Sequence, residues 1–243
     1  MSDWQGKRYW LVGAGEGLGA ALAHKLSAAG AEVIVSARSE DKLRSLVAEL
    51  SGKASYQTVD VSDQNSVEAA AKALGAVDGV VYLAGVYWPF AATDWDAKQA
   101  TAMADINFTG LLRTLGQVVP AMVARDAGHI VITGSLSGFR GLPGSIGYTA
   151  SKAATMSLAE CMYADLRKTG VRVQVANPGF IKTRLTDKND FAMPFLMTPD
   201  AAAQHMFDHM DKGGFKKSFP TVFSWLFRGS QFLPDWLYYR IFS

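Results

Sequence analysis

The chain alternates short apolar runs with longer stretches of helical pattern. Residues 8–13, RYWLVG, read as a buried strand running into glycines, and Ala20 to Leu26 follow with a helix pattern. Glu32 to Ala37 forms the second apolar run, 39–50 a helix, and Ser55 to Val59 a third strand. Ser62 or Asp63 is placed to cap the helix that follows. Val77 to Gly85 reads as the fourth strand. Asp94 to Arg125 reads as one long helix, with apolar residues at Met103, Ile106, Leu111, Leu115 and Val118. A fifth strand at 128–134, a helix at 148–168 and a sixth strand from Val171 to Ala176 complete the alternation. Thr198 or Asp200, around Pro199, starts one more helix. Repeated strand–helix alternation predicts an α/β protein with a doubly wound, mostly parallel sheet and helices on both faces. Its ligand should bind at the strands' C-terminal ends.

Composition narrows the picture. With 243 residues and no low-complexity linker or internal repeat, one large domain over 1–243 is expected. The net charge of +2 and the absence of a basic stripe argue against a nucleic-acid partner. Cys161 is the single cysteine, so there is no disulfide framework. The N-terminal residues lack a secretory apolar region, and no stretch approaches 18 uncharged apolar residues. A reducing cytoplasm is the expected setting.

The glycine turn after the first strand carries the first candidate chemistry. Gly13, Gly15, Gly17 and Gly19 stand between strand and helix. Glycines allow close backbone approach, and a helix N-terminus presents free N–H groups to a pyrophosphate. Gly15-x-Gly17-x-x-Ala20 nominally fits a dinucleotide fingerprint, and Gly13-x3-Gly17-x-Gly19 is another cofactor-binding spacing; a plain glycine turn is the alternative. The second strand ends in Ser36-Ala37-Arg38. An acid there would accept the ribose 2′-OH of NAD, whereas Arg38 suits the 2′-phosphate of NADP. NADP is therefore favoured, although Glu16 in the glycine loop argues the other way. Asp60 either meets the adenine edge or caps a helix. Ala84-Gly85 is small enough to let a cofactor lie against the backbone.

The densest constellation lies within 129–152. Ser135 stands at the end of the fifth strand. Tyr148 and Lys152 are i, i+4 neighbours that share a helix face. The Gly/Pro/Ser-rich link from Gly138 to Gly147 lets the chain return so that the three can converge.

Taken in order, these residues make the chain resemble the short-chain dehydrogenase/reductases. The matching positions are Gly13-x3-Gly17-x-Gly19, Asp60-Val61, Ala84-Gly85, Asn107, Ser135, Tyr148-x3-Lys152, and Pro178-Gly179 with Thr183, spanning about residues 8–184. The resemblance implies a Rossmann fold and NAD(P)-linked interconversion of a carbonyl and an alcohol. Tyr148 would move the proton, Lys152 would lower its pKa and hold the nicotinamide ribose, and Ser135 would bind the substrate oxygen. Asn107 would hold a water in a proton relay, and Thr183 would bond the carboxamide. Glu16, Leu18, Arg38, Val61 and Ile181 would line the cofactor with the residues already named. No metal is implied. A homodimer or homotetramer through the two long helices is implied as well. Three positions depart from the pattern: Leu83 stands where the family commonly has Asn, Val12 where Thr is frequent, and Gly134 where Ser is frequent.

The final third is less specific. Residues 184–197 hold an apolar segment where a substrate lid is expected. Ten of the 27 aromatic residues crowd into 215–243, flanked by Lys216, Lys217, Arg228 and Arg240. Three readings compete for that stretch: core and subunit packing, the wall of a hydrophobic pocket, and peripheral contact with a membrane surface. The last two suit a lipophilic substrate. A 3-oxoacyl thioester reductase is a rival assignment and would use basic residues at the pocket mouth, with Arg184 and Lys188 as candidates. A dinucleotide-binding sensor without turnover is the alternative from another class. His205 and His209 are expected on an exposed helix face, and Cys161 is expected to pack.

Overall fold

Valine- and isoleucine-rich runs, apolar on consecutive residues, suit strands covered on both faces. In the computed structural model, which describes residues 3–242, such runs form five of seven strands, and the two edge strands, the third and the seventh, are more polar. The seven are β1 (Arg8–Val12), β2 (Glu32–Ala37), β3 (Ala54–Thr58), β4 (Gly79–Tyr82), β5 (Gly128–Thr133), β6 (Val171–Pro178) and β7 (Lys216–Phe219). They make one sheet in the order β3-β2-β1-β4-β5-β6-β7, with every neighbouring pair parallel. The chain winds outward from β1 through β2 to β3, then restarts at β4 and winds the other way. The topological switch therefore lies between β1 and β4, and a crevice opens there at the strands' C-terminal ends.

Helices cover both faces. They are α1 (Gly17–Ala28), α2 (Glu40–Glu49), α3 (Gln64–Leu74), α4 (Ala97–Ala104), α5 (Gly110–Ala124), α6 (Ile146–Leu166), α7 (Pro199–Lys212), α8 (Thr221–Ser230) and α9 (Asp235–Phe242). One core layer joins Leu22 and Leu26 of α1 to Met206 and Met210 of α7, over Leu11, Val33 and Val35. The other joins Leu111 and Leu115 of α5 and Met156 of α6 to Trp10, Ile34, Ile130 and Ile132. Side-chain caps fix several helix starts. Asp63 accepts from Asn65 N, and Thr198 accepts from Ala201 N with Pro199 in the first turn.

The single helix expected from Asp94 to Arg125 is instead three pieces. A short 3₁₀ turn at Ala92–Asp94 is followed by α4, capped by Asp96, and a π turn at Asp105–Thr109 then leads into α5. The cause is tertiary. The Tyr82 hydroxyl donates to the Ile106 carbonyl at 2.6 Å, taking an acceptor from the helical ladder. A Cβ at Gly110 would stand 2.6 Å from the same hydroxyl, so glycine admits the tyrosine. Asn107 sits on this turn and is fully buried.

Three further expectations are corrected. Cys161 is exposed on α6 and packs against no core. His209 is buried, because α7 lays that face against the sheet, while His205 stacks obliquely on Phe219 at 5.2 Å. The aromatic tail divides: Phe219, Phe223 and Tyr238 are buried, whereas Trp225, Phe232 and Trp236 are exposed, Phe232 by 88%.

A closed polar cluster lies at the sheet's opposite, N-terminal end. His129 Nδ1 accepts from the Tyr9 hydroxyl at 2.8 Å and from Arg172 at 2.9 Å. Its Nε2 then donates to Gln174 Oε1 at 2.7 Å, and Gln174 Nε2 donates to the carbonyls of His209 and Gly214. Burial pushes the imidazole pKa down to about 3, and the Arg172 charge adds to the shift.

Candidate active site

The crevice at the switch point is a cavity of about 460 Å³. The glycine turn builds one wall. Gly13 has φ +95°, and a Cβ there would stand 2.3 Å from Ala84 N, so only glycine lets this loop lie against the end of β4. Gly17 has φ +57° and faces the Thr183 methyl, which a Cβ would meet at 3.1 Å. Glu16, at the N-cap of α1, makes no side-chain cap bond. The first turn of α1 thus presents its N–H groups toward the cavity, an arrangement that fits a pyrophosphate.

The expected cofactor-facing residues converge here. Gly13, Gly15, Glu16, Gly17, Leu18, Gly19, Arg38, Asp60, Val61, Ala84, Gly85, Pro178, Gly179, Ile181 and Thr183 all line the cavity, together with Tyr148 and Lys152. Asp60 Oδ1 accepts from the Ser62 backbone and hydroxyl, and Asp63 caps α3 in its place. Burial opposes ionisation of Asp60, but the Ser62 bonds and the Arg38 charge outweigh it and hold its pKa low.

At the inner end, β5 delivers Ser135 and α6 delivers Tyr148 and Lys152. Ser135 is buried and caps a 3₁₀ turn at Leu136–Phe139, its oxygen accepting from the Ser137 hydroxyl at 2.9 Å. Burial pushes the Tyr148 phenol up to about 12, and the Ser135 hydroxyl hydrogen-bonded to it pulls the other way. Tyr87 packs edge-on against the Tyr148 ring at 5.1 Å. Lys152 Nζ donates to the Thr133 carbonyl at 2.9 Å and lies 5.7 Å from the Tyr148 ring centre. Burial alone pushes its ammonium down to about 8. Desolvation governs both groups.

Asn107 lies behind this floor, outside the cavity lining. Its Oδ1 accepts from Val86 N at 2.8 Å, and its Nδ2 donates to the Val86 carbonyl and to Ser151 Oγ, both at 3.0 Å. A Cβ at Gly85 would stand 3.4 Å from Asn107 Oδ1 and 3.9 Å from Lys152 Nζ, so Gly85 keeps open the space between them. Leu83, in place of the family's Asn, packs against the core. Gly134 makes room for another amide, since a Cβ there would fall 2.1 Å from Asn177 Oδ1.

Aromatic side chains cluster behind Gly179, where a Cβ would meet Phe223 Cδ1 at 3.2 Å. Phe180 contacts Phe191 and Phe223 at ring separations of 5.9 and 5.8 Å, and Phe223 contacts Phe195 and Phe227 at 5.4 and 5.0 Å. Arg140 ties the tail to the turn after Ser135. It donates to the carbonyls of Ser230 and Leu233 at 2.7 Å, pairs with Asp235, and lies 4.0 Å over the Tyr238 ring. Arg140 carries no local sequence signal, since its partners are 90 or more residues away. Lys42 also lines the cavity, from the first turn of α2, and its only signal in the sequence is a second cation four residues after Arg38. Among the described residues, no group of three or more His, Cys, Asp or Glu is placed to hold a metal.

Comparison with known proteins agrees with this geometry. The short chain dehydrogenase family model matches residues 7–192. An uncharacterized oxidoreductase of Myxococcus xanthus is 36% identical, with 98% of this chain and 97% of that protein aligned. One from Staphylococcus epidermidis is 32% identical over 74% of this chain and 80% of its own length. A solved short chain dehydrogenase/reductase family protein superposes with a TM-score of 0.83 at 26% identity, covering 89% of this chain and 97% of that one. Actinorhodin polyketide ketoreductase, solved with NADPH, shares the fold at a TM-score of 0.80 and 24% identity, over 90% of this chain and 97% of its own. The chain belongs to the short-chain dehydrogenase family and is an NAD(P)-dependent oxidoreductase.

Proposed function

We propose that the protein is an NADP(H)-dependent reductase/dehydrogenase that interconverts a lipophilic ketone or aldehyde with its alcohol. The observation that carries this reading is the meeting of Tyr148 and Lys152 at the floor of a cavity whose far end holds Arg38 and Lys42, with the buried Ser135 hydroxyl hydrogen-bonded to the Tyr148 phenol. The cavity would hold a nicotinamide cofactor, which would supply or accept the hydride. Ser135 orients the substrate oxygen beside Tyr148. The phenol, protonated at neutral pH, gives its proton to the developing alkoxide in reduction and receives one in oxidation. Lys152 would hold the nicotinamide ribose hydroxyls, and it places a cation 5.7 Å from the Tyr148 ring centre. Asn107 fixes the Val86 backbone and the α6 face carrying Ser151, and so positions the floor behind Lys152, where by family resemblance it would hold a relay water. Thr183 serves the carboxamide. Residues 184–243 act as lid and substrate wall within one domain.

The Phe180–Phe223–Phe195 cluster supports an apolar substrate. A 3-oxoacyl thioester substrate has less support. Arg184 is paired with Glu16, and Lys188 donates to the Tyr87 carbonyl and lies over Trp88, so both basic candidates at the mouth are engaged within the chain. Peripheral contact of α8 and α9 with a membrane surface is part of the proposal, resting on exposed Trp225, Phe232 and Trp236 beside Arg228 and Arg240. Among the described residues, no helix is long and apolar enough to cross a membrane. Exposed Leu112 and Val123 on α5 and Tyr163 on α6 support a homodimer or homotetramer. The lone thiol supports a cytoplasmic setting.

Ketones, alcohols and one 3-oxoacyl thioester, each followed with NADPH and NADH, test the reading. Faster turnover of bulky apolar ketones with NADPH is expected. Preference for the thioester would favour the rival substrate, and dinucleotide binding without any turnover would favour a sensor.

A further inference from the structure

Glu16 occupies an unusual position. It lies in the glycine loop, where a dianionic phosphate is expected nearby, yet it is itself an anion. One of its carboxylate oxygens pairs with Lys42 of α2, and the other pairs with Arg184 at the start of the lid. Burial works against its ionisation, but the bonds from Lys42 and Arg184 outweigh it and hold its pKa below the usual carboxylate range. All three groups line the cavity, as does Arg38. Gly15 brings the loop close to this corner: a Cβ there would stand 3.1 Å from the Ala37 Cβ and 3.9 Å from the Lys42 Cβ.

We infer that Glu16 is a resident anion on the 2′-phosphate site, competing for Lys42 with a phosphate on the adenosine ribose. The inference rests on the NADP(H) reading, which puts that phosphate between Arg38 and Lys42. Without phosphate, the carboxylate neutralises Lys42. A phosphate that reaches Lys42 must take it from Glu16. Arg184 keeps the carboxylate tethered, so Glu16 remains close enough to repel the incoming dianion. The exchange is feasible because the pairs are partly exposed, and exposed ion pairs hold weakly. A ribose with a free 2′-hydroxyl displaces nothing. Glu16 therefore sets how strongly the protein distinguishes phosphorylated from unphosphorylated adenosine ligands, and it lowers the affinity for the first alone.

Calorimetric titration of the protein with 2′,5′-ADP and with 5′-ADP tests this without turnover. Glu16→Gln keeps the size of the side chain and removes the charge. The variant should bind 2′,5′-ADP roughly threefold to tenfold more tightly than wild type, with 5′-ADP affinity unchanged. The 5′-ADP titration also shows that the variant is folded. Unchanged or weaker binding of 2′,5′-ADP by the variant overturns the inference. Wild type that fails to prefer 2′,5′-ADP, with a preference appearing in Glu16→Gln, supports the resident anion and overturns NADP(H) as the natural cofactor. No preference in either protein overturns both.

Discussion

The two ends of the sheet hold two clusters of buried polar side chains, and they have opposite characters. At the N-terminal end, each ring nitrogen of His129 has a partner, and Gln174 hands its own amide to two carbonyls. That cluster is closed. At the C-terminal end, Tyr148 and Lys152 border a cavity with Ser135 bonded to the tyrosine, and Thr133 Oγ1, Thr149 Oγ1 and Asn177 Oδ1 find no partner among the described residues. Burial of polar groups is common to both. Access from a cavity and spare hydrogen-bonding capacity distinguish the end that can do chemistry. A satisfied network adds cohesion and specifies packing, whereas an open one can accept a ligand. The contrast is not absolute, since His209 Nε2 near the closed cluster also lacks a partner among the described residues.

The largest effect on stability is expected from breaking the closed cluster. His129→Ala strands Gln174 Oε1, leaves the Tyr9 hydroxyl with Arg172 alone and removes one Arg172 contact in the core, and should cost about 3 kcal/mol in urea unfolding. Turnover per folded molecule should stay near wild type. A large fall in kcat would link the two ends and erase the distinction.

A smaller effect follows from acid. The His129 pKa is about 3 in the folded protein, against an ordinary 6.5. Between those values the unfolded chain binds the proton and the folded chain does not. The buried neutral ring is therefore tolerated at no titration cost above about pH 6.5, and stability falls as pH drops from there toward 3. Urea unfolding at pH 7 and at pH 4.5 should differ by about 2 kcal/mol from this group. His209, also pushed down by burial, adds in the same direction. Stability that is flat across this interval would contradict the closed, neutral cluster.

Much of this architecture is legible in the chain, and the remainder fails for identifiable reasons. Consecutive apolar residues at 33–35, 80–84 and 130–132 mark strands without tertiary information, and the glycines after β1 mark the turn. The spacing of Tyr148 and Lys152 places both on one face of α6. The break at 105–109 is invisible because it depends on Tyr82, more than 20 residues earlier in the chain, reaching the Ile106 carbonyl. β7 is only four residues, Lys-Lys-Ser-Phe, and has no apolar run. His209 reads as exposed by spacing, and only the docking of α7 buries it. The Lys42–Glu16–Arg184 chain joins three segments that local pattern cannot bring together.

The smallest effect should come from the aromatic tail. Trp225, Phe232 and Trp236 are exposed by 62%, 88% and 69%, unlike their buried neighbours Phe223 and Tyr238. Replacing all three with Ser should change stability by roughly 0.5 kcal/mol or less per site and abolish co-sedimentation with anionic liposomes. Loss of oligomeric mass instead would assign this face to subunit packing, and a large loss of stability would place it in the core.

The central claim is that chemistry resides at the open end of the sheet alone. Tyr148→Phe and His129→Ala, compared side by side for NADPH binding, kcat and urea unfolding, test it most directly. Tyr148→Phe should bind NADPH like wild type, unfold at a similar urea concentration, and lose roughly 10²- to 10⁴-fold in kcat, while His129→Ala shows the converse. A Tyr148→Phe protein that keeps nearly full turnover would contradict the account.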